Sequence, residues 1–467
     1  MRASSIVGVG KTYRGALSRT LVLVFLATFL WLQIHVINLT TRDWSSQTSS
    51  NETLYSLVPQ ELHRFLKERQ NATAITANAT LGILTKNEIN EIRRHIEKIN
   101  AEQRVINEEA FGPLASDSPV IVVQVHTRLT YLRHLIVSLA QAKDIEQTLI
   151  VFSHDVWDPD INYLVQSVDF CRVMQIFYPH SIQTHPRTFP GEDSHDCPRN
   201  IRKEQALLLK CTNAQHPDLY GHYREAKFTQ TKHHWWWKAN RVFDQLEVLK
   251  NHTGMVLFLE EDHYVAEDFL HVLKLMERTS KHSCERCNVL SLGTYLKTYN
   301  YYADFSRKAE VTPWISSKHN MGMAFNRVTW NKLRKCASQF CSYDDYNWDW
   351  SLQHVAQSCL PPSKGAGTIP RVESGLIAMM MRAPRVFHIG ECGVHHKKTN
   401  CESTAVIAKV RNVLKSSRNH LYPTKLTLTV AGVAKKTKLK KGNGGWGDIR
   451  DHELCLNITL NTDLLLI

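Results

Sequence analysis

Apolar and polar positions follow a regular pattern from Ser118 onward. The run Val120–Val125 is almost wholly apolar, which is typical of a buried strand, and the apolar positions between 132 and 139 recur with helical spacing. Apolar runs at Thr148–Phe152, Val173–Tyr178 and Met255–Leu259 predict three further strands. Strands of this kind alternating with helices indicate a parallel sheet covered on both faces, so the predicted fold class is α/β.

Two polar motifs follow predicted strands directly. QVHTR at 124–128 ends the first strand, and EEDHY at 260–264 follows Met255–Leu259. Ligands of such sheets bind at the carboxyl ends of the strands. Adjacent carboxylates that close a buried strand repel one another unless a cation neutralises them, although a solvent-exposed turn is an alternative. With His263 beside them, their oxygen atoms favour Mn²⁺ or Mg²⁺ over zinc.

Three other segments each allow two interpretations. QTKHHWWWK at 230–238 is either a helix buried by its tryptophans or a helix start whose Lys232, His233 and His234 bind phosphate. His388 is either a metal ligand or, as its pattern alone favours, a core histidine. Asp349 lies between two tryptophans, where a carboxylate acquires a raised pKa and can act as a general base, or it is a structural aspartate.

The N-terminal pattern predicts a membrane anchor. Basic residues precede an apolar run at Leu21–Leu39 that is long enough to cross a bilayer, whereas a cleaved signal peptide would have a shorter run. The predicted organisation is therefore a cytosolic tail at 1–20, an anchor at 21–39, a luminal stem at 40–110 and a domain at 111–467. Sequons beyond the anchor agree with a luminal chain, and they lie at Asn51, Asn71, Asn78, Asn251 and Asn457.

The stem contains two kinds of sequence. Residues 41–84 are rich in Ser, Thr, Asn and Gln, so they are expected to bury little and to act as a tether. A capping box at Thr85 and Glu88 predicts a helix start. The narrow isoleucine stripe of that helix predicts packing on the following domain, with a short coiled coil in a homodimer as the alternative.

Composition narrows the class of protein. The chain has 467 residues, 43% of them hydrophobic, which excludes disorder throughout and provides for one large or two medium domains. A net charge of +13 favours anionic partners. The 11 cysteines all lie between Cys171 and Cys455, and in an oxidising compartment this odd number leaves one thiol unpaired. The pair Cys284 and Cys287 is interpreted as a tight disulfide rather than half of a zinc site or a redox pair.

Several long segments of the sequence resemble a known family. QVHTR, FSHD, HYREAKFTQTKHHWWWK, FLEEDHY, YDDYNWDW, RVFHIGECGVHHKK and GGWGDIRDHELC are together similar to the N-acetylglucosaminyltransferase II family, in order across about 115–460. The resemblance implies a GT-A fold, a Rossmann-like mixed sheet with helices on both faces. It also implies a Golgi type II membrane enzyme that uses UDP-GlcNAc and Mn²⁺. The expected reaction adds GlcNAc in beta-1,2 linkage to the alpha-1,6-arm mannose of N-glycans.

The resemblance also implies roles for individual residues. It makes Asp262 and His388 the metal ligands and Asp349 the catalytic base. The residues that it implies for binding UDP-GlcNAc are Gln124, Val125, His126, Thr127, Arg128, Asp155, Gln230, Thr231, Lys232, His233 and His234. Because the donor is an alpha-glycoside and the product is beta, the expected reaction inverts the configuration and needs a single carboxylate base.

Proximity and the resemblance together predict the disulfides. The pairs are Cys197–Cys211, Cys284–Cys287, Cys336–Cys359, Cys341–Cys455 and Cys392–Cys401, with Cys171 left as a buried thiol. Two rival functions are kept. One is an N-acetylglucosaminyltransferase I-like activity on the alpha-1,3 arm. The other is a non-catalytic lectin or glycosaminoglycan-binding module that uses Lys435–Lys441. No nucleic-acid partner is expected.

Overall fold

The structure is a computed structural model that describes Thr28 and residues 58–67, 84–295, 302–360, 375–390, 404–430 and 442–460. Its contacts divide the chain into two units, Met1–Gln60 and Glu61–Ile467, and the fold below is that of the second. In the ranges described, no helix combines the length and the apolar character that a membrane crossing requires. The anchor predicted at 21–39 lies outside the described residues apart from Thr28, and the predicted domain limits stay predictions.

Eleven strands run through the described part of the second unit. In chain order they are β1 (Val120–Val125), β2 (Leu149–His154), β3 (Arg172–Phe177), β4 (Val256–Glu260), β5 (His263–Val265), β6 (Cys287–Ser291), β7 (Lys308–Pro313), β8 (Met323–Phe325), β9 (Ile377–Met381), β10 (Val386–His388) and β11 (Thr427–Val430).

Helices connect these strands and cover the sheet. They are α1 (His63–Leu66), α2 (Lys86–Glu102), α3 (Glu108–Phe111), α4 (Leu129–Ala140), α5 (Pro159–Gln166), α6 (Lys203–Leu209), α7 (Ala226–Asn240), α8 (Phe269–Ser283), α9 (Tyr302–Phe305), α10 (Ser316–His319), α11 (Arg327–Arg334), α12 (Ala337–Ser342), α13 (Trp348–Ser358), α14 (Thr404–Ser416) and α15 (Ile449–Leu460).

The fold is a mixed α/β fold built on one large sheet. Nine strands follow the order β11-β7-β9-β6-β8-β4-β1-β2-β3, and β5 pairs with β10 in a separate two-stranded ribbon. Strands β3, β2, β1 and β4 are parallel, which confirms the alternating pattern predicted for the first half. Strand β8 runs antiparallel to both of its neighbours, so the sheet as a whole is mixed.

The predicted helix after the tether is confirmed, and it packs within the chain. Thr85 forms a complete capping box with Glu88 at the start of α2. Ile92 and Ile96 are buried against Phe177 at the end of β3. Because these isoleucines are buried within the chain, the prediction that the helix packs on the domain is confirmed, and the coiled-coil alternative is not.

Four of the five predicted disulfides are present, namely Cys197–Cys211, Cys284–Cys287, Cys336–Cys359 and Cys341–Cys455. Cys171 is a buried thiol, as predicted. Cys392, Cys401 and the lysine-rich stretch at 435–441 lie outside the described residues. The Cys341–Cys455 bond joins α12 to α15, and both cysteines are fully buried.

Removing the Cys341–Cys455 bond should destabilise the chain more than removing Cys336–Cys359. The first bond spans 114 residues and the second only 23. In the chain-entropy model this corresponds to about 4–5 kcal/mol for the long loop and about 3–4 kcal/mol for the short one. Thermal unfolding of the two double Cys→Ala variants under identical conditions checks the order, and a lower midpoint for the short-loop variant would contradict it.

Candidate active site

The carboxyl ends of β1, β2 and β4 meet at one edge of the sheet. Gln124 is paired with Glu260, and Val125 with His154. The strands are parallel, so the segments that follow them leave the sheet side by side. The motifs at 124–128 and 260–264 therefore lie side by side at this edge.

Glu261 joins the two motifs. Its carboxylate accepts a hydrogen bond from the backbone N–H of His126 (2.7 Å) and another from Nε of Arg128 (2.8 Å). The side chain is only 2% exposed. Burial raises the pKa of Glu261, while the neighbouring Arg128 opposes that shift. Glu261 thus fixes the loop after β1 against the loop after β4.

The two carboxylate oxygen atoms of Asp262 differ in their contacts. Its Oδ2 lies 2.8 Å from Nη1 of Arg128 and 3.2 Å from Nε2 of His388. Its Oδ1 is buried and has no hydrogen-bond partner among the described residues. Burial alone would raise the pKa of Asp262, but His388 and Arg128 hold it below its ordinary value. A buried carboxylate oxygen that no protein donor satisfies fits the role of a metal ligand.

Gly390 makes room for this carboxylate. A Cβ atom at position 390 would collide with Oδ2 of Asp262. The close approach of the backbone after β10 therefore requires glycine at this position.

Two histidines lie beside Asp262, and they differ in their suitability as ligands. Strands β5 and β10 pair His263 with His388. Nδ1 of His263 accepts a hydrogen bond from the backbone N–H of Glu260 (3.1 Å), so a neutral His263 carries its proton on Nε2. His388 is 33% exposed with Nε2 near Asp262, so its interpretation as a core histidine is wrong. Glu260, Asp262 and His263 also bring ligand atoms within 4.8 Å of one another.

Asp155 joins several of the residues expected to bind nucleotide. It lies 2.7 Å from Nδ1 of His126 and accepts a hydrogen bond from Nε2 of Gln230 (3.0 Å), and Nδ1 of His234 is 3.5 Å away. The Asp155 carboxylate raises the pKa of His126 to about 9. His126 is therefore an imidazolium at neutral pH, and its half-exposed ring offers a positive charge to an anionic ligand.

Helix α7 presents a polar stripe to the same edge. Gln230, His234 and Lys238 are spaced by four residues, so they lie on one face of the helix. Nζ of Lys238 donates to Oε1 of Gln124 (2.5 Å), and His234 hydrogen-bonds to Ser153 at the end of β2 (2.8 Å). Lys238 was not singled out from the sequence, although its spacing from His234 and Gln230 identifies it.

Lys232 and His233 face away from this stripe. Helix α7 begins at Ala226, nearly two turns earlier, so the alternative interpretation that places Lys232, His233 and His234 at a helix start is wrong. Nζ of Lys232 is buried and donates to the backbone carbonyls of Tyr343 (3.0 Å) and Asp345 (3.1 Å). Burial lowers the pKa of Lys232 to about 7. His233 lies 3.0 Å from Asp451, so the interpretation of a buried helix applies to this face.

The remaining positions expected to bind donor differ in exposure. The side chain of Val125 is fully buried in the core, so this residue has only its backbone to offer a ligand. Thr127 is exposed beside Arg128, and Thr231 is half-buried on α7. The roles of all these residues in binding donor stay predictions.

Asp349 has the properties of a base. It lies in the first turn of α13 and is half-buried. Its oxygens accept hydrogen bonds from Nδ2 of Asn320 (3.0 Å) and from the N–H of Trp350 (2.9 Å). Burial raises the pKa of Asp349 to about 7, and the charges of Asp345 and Glu260 add to the shift.

Tyr295 and Asn320 also lie at this site, and sequence reasoning missed both. The ring of Tyr295 is 52% exposed and its centroid lies 6.1 Å from that of His388. Its hydroxyl lies near Asn320, which donates a hydrogen bond to Asp349. Tyr295 is therefore close both to the carboxylate cluster and to the candidate base. No periodicity or spacing marks these two residues in the sequence.

The fold and the site define an α/β protein with a carboxylate cluster at the ends of its parallel strands, and the charge of Glu260 in that cluster acts on Asp349. The sequence profile of the N-acetylglucosaminyltransferase II family matches residues 93–455. This chain belongs to the N-acetylglucosaminyltransferase II family.

Curated relatives agree with the family. The alpha-1,6-mannosyl-glycoprotein 2-beta-N-acetylglucosaminyltransferase of Rattus norvegicus is 47% identical over 363 residues, covering 78% of this chain and 79% of the relative. The protein of the same name from Homo sapiens is 45% identical, with 78% of each chain covered. That of Arabidopsis thaliana is 32% identical over 358 residues, covering 75% of this chain and 77% of the relative.

Proposed function

We propose that this chain transfers GlcNAc from UDP-GlcNAc, in beta-1,2 linkage, to the alpha-1,6-arm mannose of N-glycans. Membership of the family and the names of the curated relatives support this activity. The observation that carries its chemistry is the proximity of Tyr295 both to His388, which lies beside Asp262, and to Asn320, which donates a hydrogen bond to Asp349. The proposed architecture is the GT-A type, in agreement with the mixed α/β sheet.

The donor is expected at the edge formed by β1, β2 and β4. The imidazolium of His126 and the guanidinium of Arg128 are both accessible there. Nucleotides bind at the carboxyl ends of parallel strands, and the net charge of +13 attracts anions. The uridine diphosphate end of the donor would thus contact the loop 126–128, with Asp155 and Gln230 behind it.

The residues present fit a divalent cation. Asp262 offers an oxygen atom for which the described residues supply no partner, and His388 offers Nε2 from β10. We therefore propose that Asp262 and His388 hold Mn²⁺, which when bound would stabilise the negative charge of the departing diphosphate. His263 is the less suitable ligand because its Nδ1 already accepts the N–H of Glu260.

Asp349 would deprotonate the 2-hydroxyl group of the acceptor mannose. Its raised pKa makes the carboxylate a stronger base than an exposed aspartate. Asn320 and the N–H of Trp350 hold the carboxylate in a fixed orientation. Inversion of configuration then needs no covalent intermediate.

We further propose a Golgi type II membrane protein with its catalytic unit in the lumen. The apolar run at 21–39, the sequons and the four disulfides favour this setting. In this proposal the cytosolic tail is 1–20, the anchor 21–39, the luminal stem 40–110 and the catalytic domain 111–467. The isoleucine stripe of α2 is buried within the chain, so we propose no homodimer through that helix.

An acceptor assay tests the activity and its arm specificity. The full chain is incubated with UDP-GlcNAc, Mn²⁺ and two N-glycans that differ only in whether the alpha-1,3 arm already carries GlcNAc. Transfer to the alpha-1,6 mannose is expected, and methylation or NMR analysis of the product identifies the linkage. Transfer to the alpha-1,3 arm would favour the N-acetylglucosaminyltransferase I-like activity. Glycan or heparin binding without turnover would favour a lectin.

The rate should depend on pH through Asp349. Only the deprotonated carboxylate can accept a proton, and its pKa is about 7. At saturating Mn²⁺, kcat/KM should therefore fall about tenfold for each unit of pH below that value and level off above it. A profile that is flat from pH 5 to pH 8 would exclude Asp349 as the base.

A further inference from the structure

A short segment upstream of the family match is docked on the catalytic unit. Helix α1 (His63–Leu66) precedes residues 93–455, the region that the family profile covers. Phe65 is only 1% exposed, and its ring meets that of Phe170 edge-on with centroids 6.0 Å apart. The polar composition of residues 41–84 predicts little burial, so a fully buried phenylalanine in this stretch requires an explanation.

Polar contacts fix the same segment at two further points. The guanidinium of Arg64 donates to both oxygens of Asp169, at 2.5 and 2.7 Å. Nη1 of Arg133 donates to the backbone carbonyls of Phe65 (3.0 Å) and Lys67 (2.6 Å). The last carbonyls of a helix lack partners within it, so the arginine supplies donors where they are needed.

These contacts define a docking groove made of Arg133, Asp169 and Phe170. Arg133 belongs to α4, and the other two residues lie between α5 and β3. The groove combines an apolar contact for an aromatic ring, a carboxylate that takes a guanidinium with two bonds, and a cation that binds backbone carbonyls. It therefore complements a helical turn that carries arginine followed by phenylalanine.

We propose that residues 61–67 are a docking motif that fastens the N-terminal part of the chain to this groove in the same molecule. The N-terminal part of the chain is then attached to the catalytic unit at residues 61–67, and not at the start of α2. Helix α4 begins directly after Arg128, so the docked segment also braces the helix that follows the donor-binding loop. The occupant is the chain's own segment, because the two are joined through α2 and lie in one unit.

Limited trypsin digestion of the full chain tests the docking. Trypsin cleaves after Arg64 and Lys67, and a docked segment must open before it is cut. Cleavage after Lys67, measured from the new N terminus at Glu68, should be at least about tenfold faster in Phe65→Ala than in the unaltered chain, since the variant loses a buried aromatic ring. Val328→Ala, which truncates an exposed apolar side chain elsewhere, should leave the rate unchanged. Equal rates in the unaltered chain and Phe65→Ala would overturn the proposal.

The ion pair provides an independent test. Arg64→Gln, Asp169→Asn and the double variant form a cycle, read again from cleavage after Lys67. If the two side chains bind each other, each single variant accelerates cleavage and the double variant adds little more. Independent, multiplicative effects would show that the pair does not form and would overturn this part of the groove.

Protein concentration distinguishes the chain's own segment from that of a second copy. Docking within one chain is unimolecular. At a fixed trypsin concentration, the rate constant for cleavage should therefore be the same over a hundredfold range of concentration of this chain. Protection that increases with concentration would show that a neighbouring molecule fills the groove, and it would refute docking within one chain.

Discussion

Replacing Asp349 with asparagine should lower kcat by roughly two to four orders of magnitude, which is the usual contribution of a general base. The amide keeps the size of the carboxylate but cannot accept a proton. The KM for UDP-GlcNAc should change little, because the base acts on the acceptor hydroxyl. Initial rates with saturating acceptor and varied donor measure both quantities, and the dependence on pH should disappear in the variant.

The neighbouring aspartates supply the controls. Asp344 accepts the backbone N–H groups of Leu219 (2.6 Å) and Trp446 (3.0 Å), and Asp345 accepts those of Asn347 and Asn443, both at 2.8 Å. Both carboxylates already accept hydrogen bonds from backbone N–H groups. We therefore expect their asparagine variants to be less stable to heat but to keep the dependence of the rate on pH. A turnover of Asp349→Asn within about threefold of the unaltered enzyme would reassign the base to one of them.

Removing the proposed cation, or its ligand Asp262, should abolish transfer. Excess EDTA should stop turnover, and Mn²⁺ should restore it. Asp262→Asn should reduce kcat/KM by about three orders of magnitude, because the diphosphate leaving group would lose several kcal/mol of charge stabilisation. The EPR signal of free Mn²⁺ gives a readout that does not depend on activity, since it should decrease on binding to the unaltered chain and not to the variant.

The two histidines allow a matched comparison. His388→Ala should weaken Mn²⁺ binding, whereas His263→Asn keeps an acceptor for the N–H of Glu260 and should bind the ion more nearly as the unaltered chain does. Full activity in excess EDTA would contradict the metal site. Stronger loss of binding in His263→Asn than in His388→Ala would exchange their roles.

The sequence by itself determined the strands of the first half and which of their polar ends lie at one edge of the sheet. Val120–Val125 and the runs after it form the parallel strands that their apolar patterns predict, because continuous apolar strands must be buried on both faces. The capping box at Thr85 likewise marks the true start of α2, since it depends on residues three positions apart. Each of these patterns depends only on residues that are close together in the sequence.

Tertiary structure decided which side chains come together at the candidate site. His388 reaches Asp262 only because β10 pairs with β5, and Tyr295 and Asn320 approach Asp349 from distant segments. Lys232 and His233 were misplaced at a helix start because the sequence pattern did not show that α7 begins at Ala226. The backbone carbonyls that bind Lys232 belong to residues more than 100 positions away. The buried Phe65 in a polar tether has the same cause, since its partners Arg133 and Phe170 belong to other elements. Composition describes what a segment can bury alone, whereas the groove that receives it exists only after the sheet and its helices have packed.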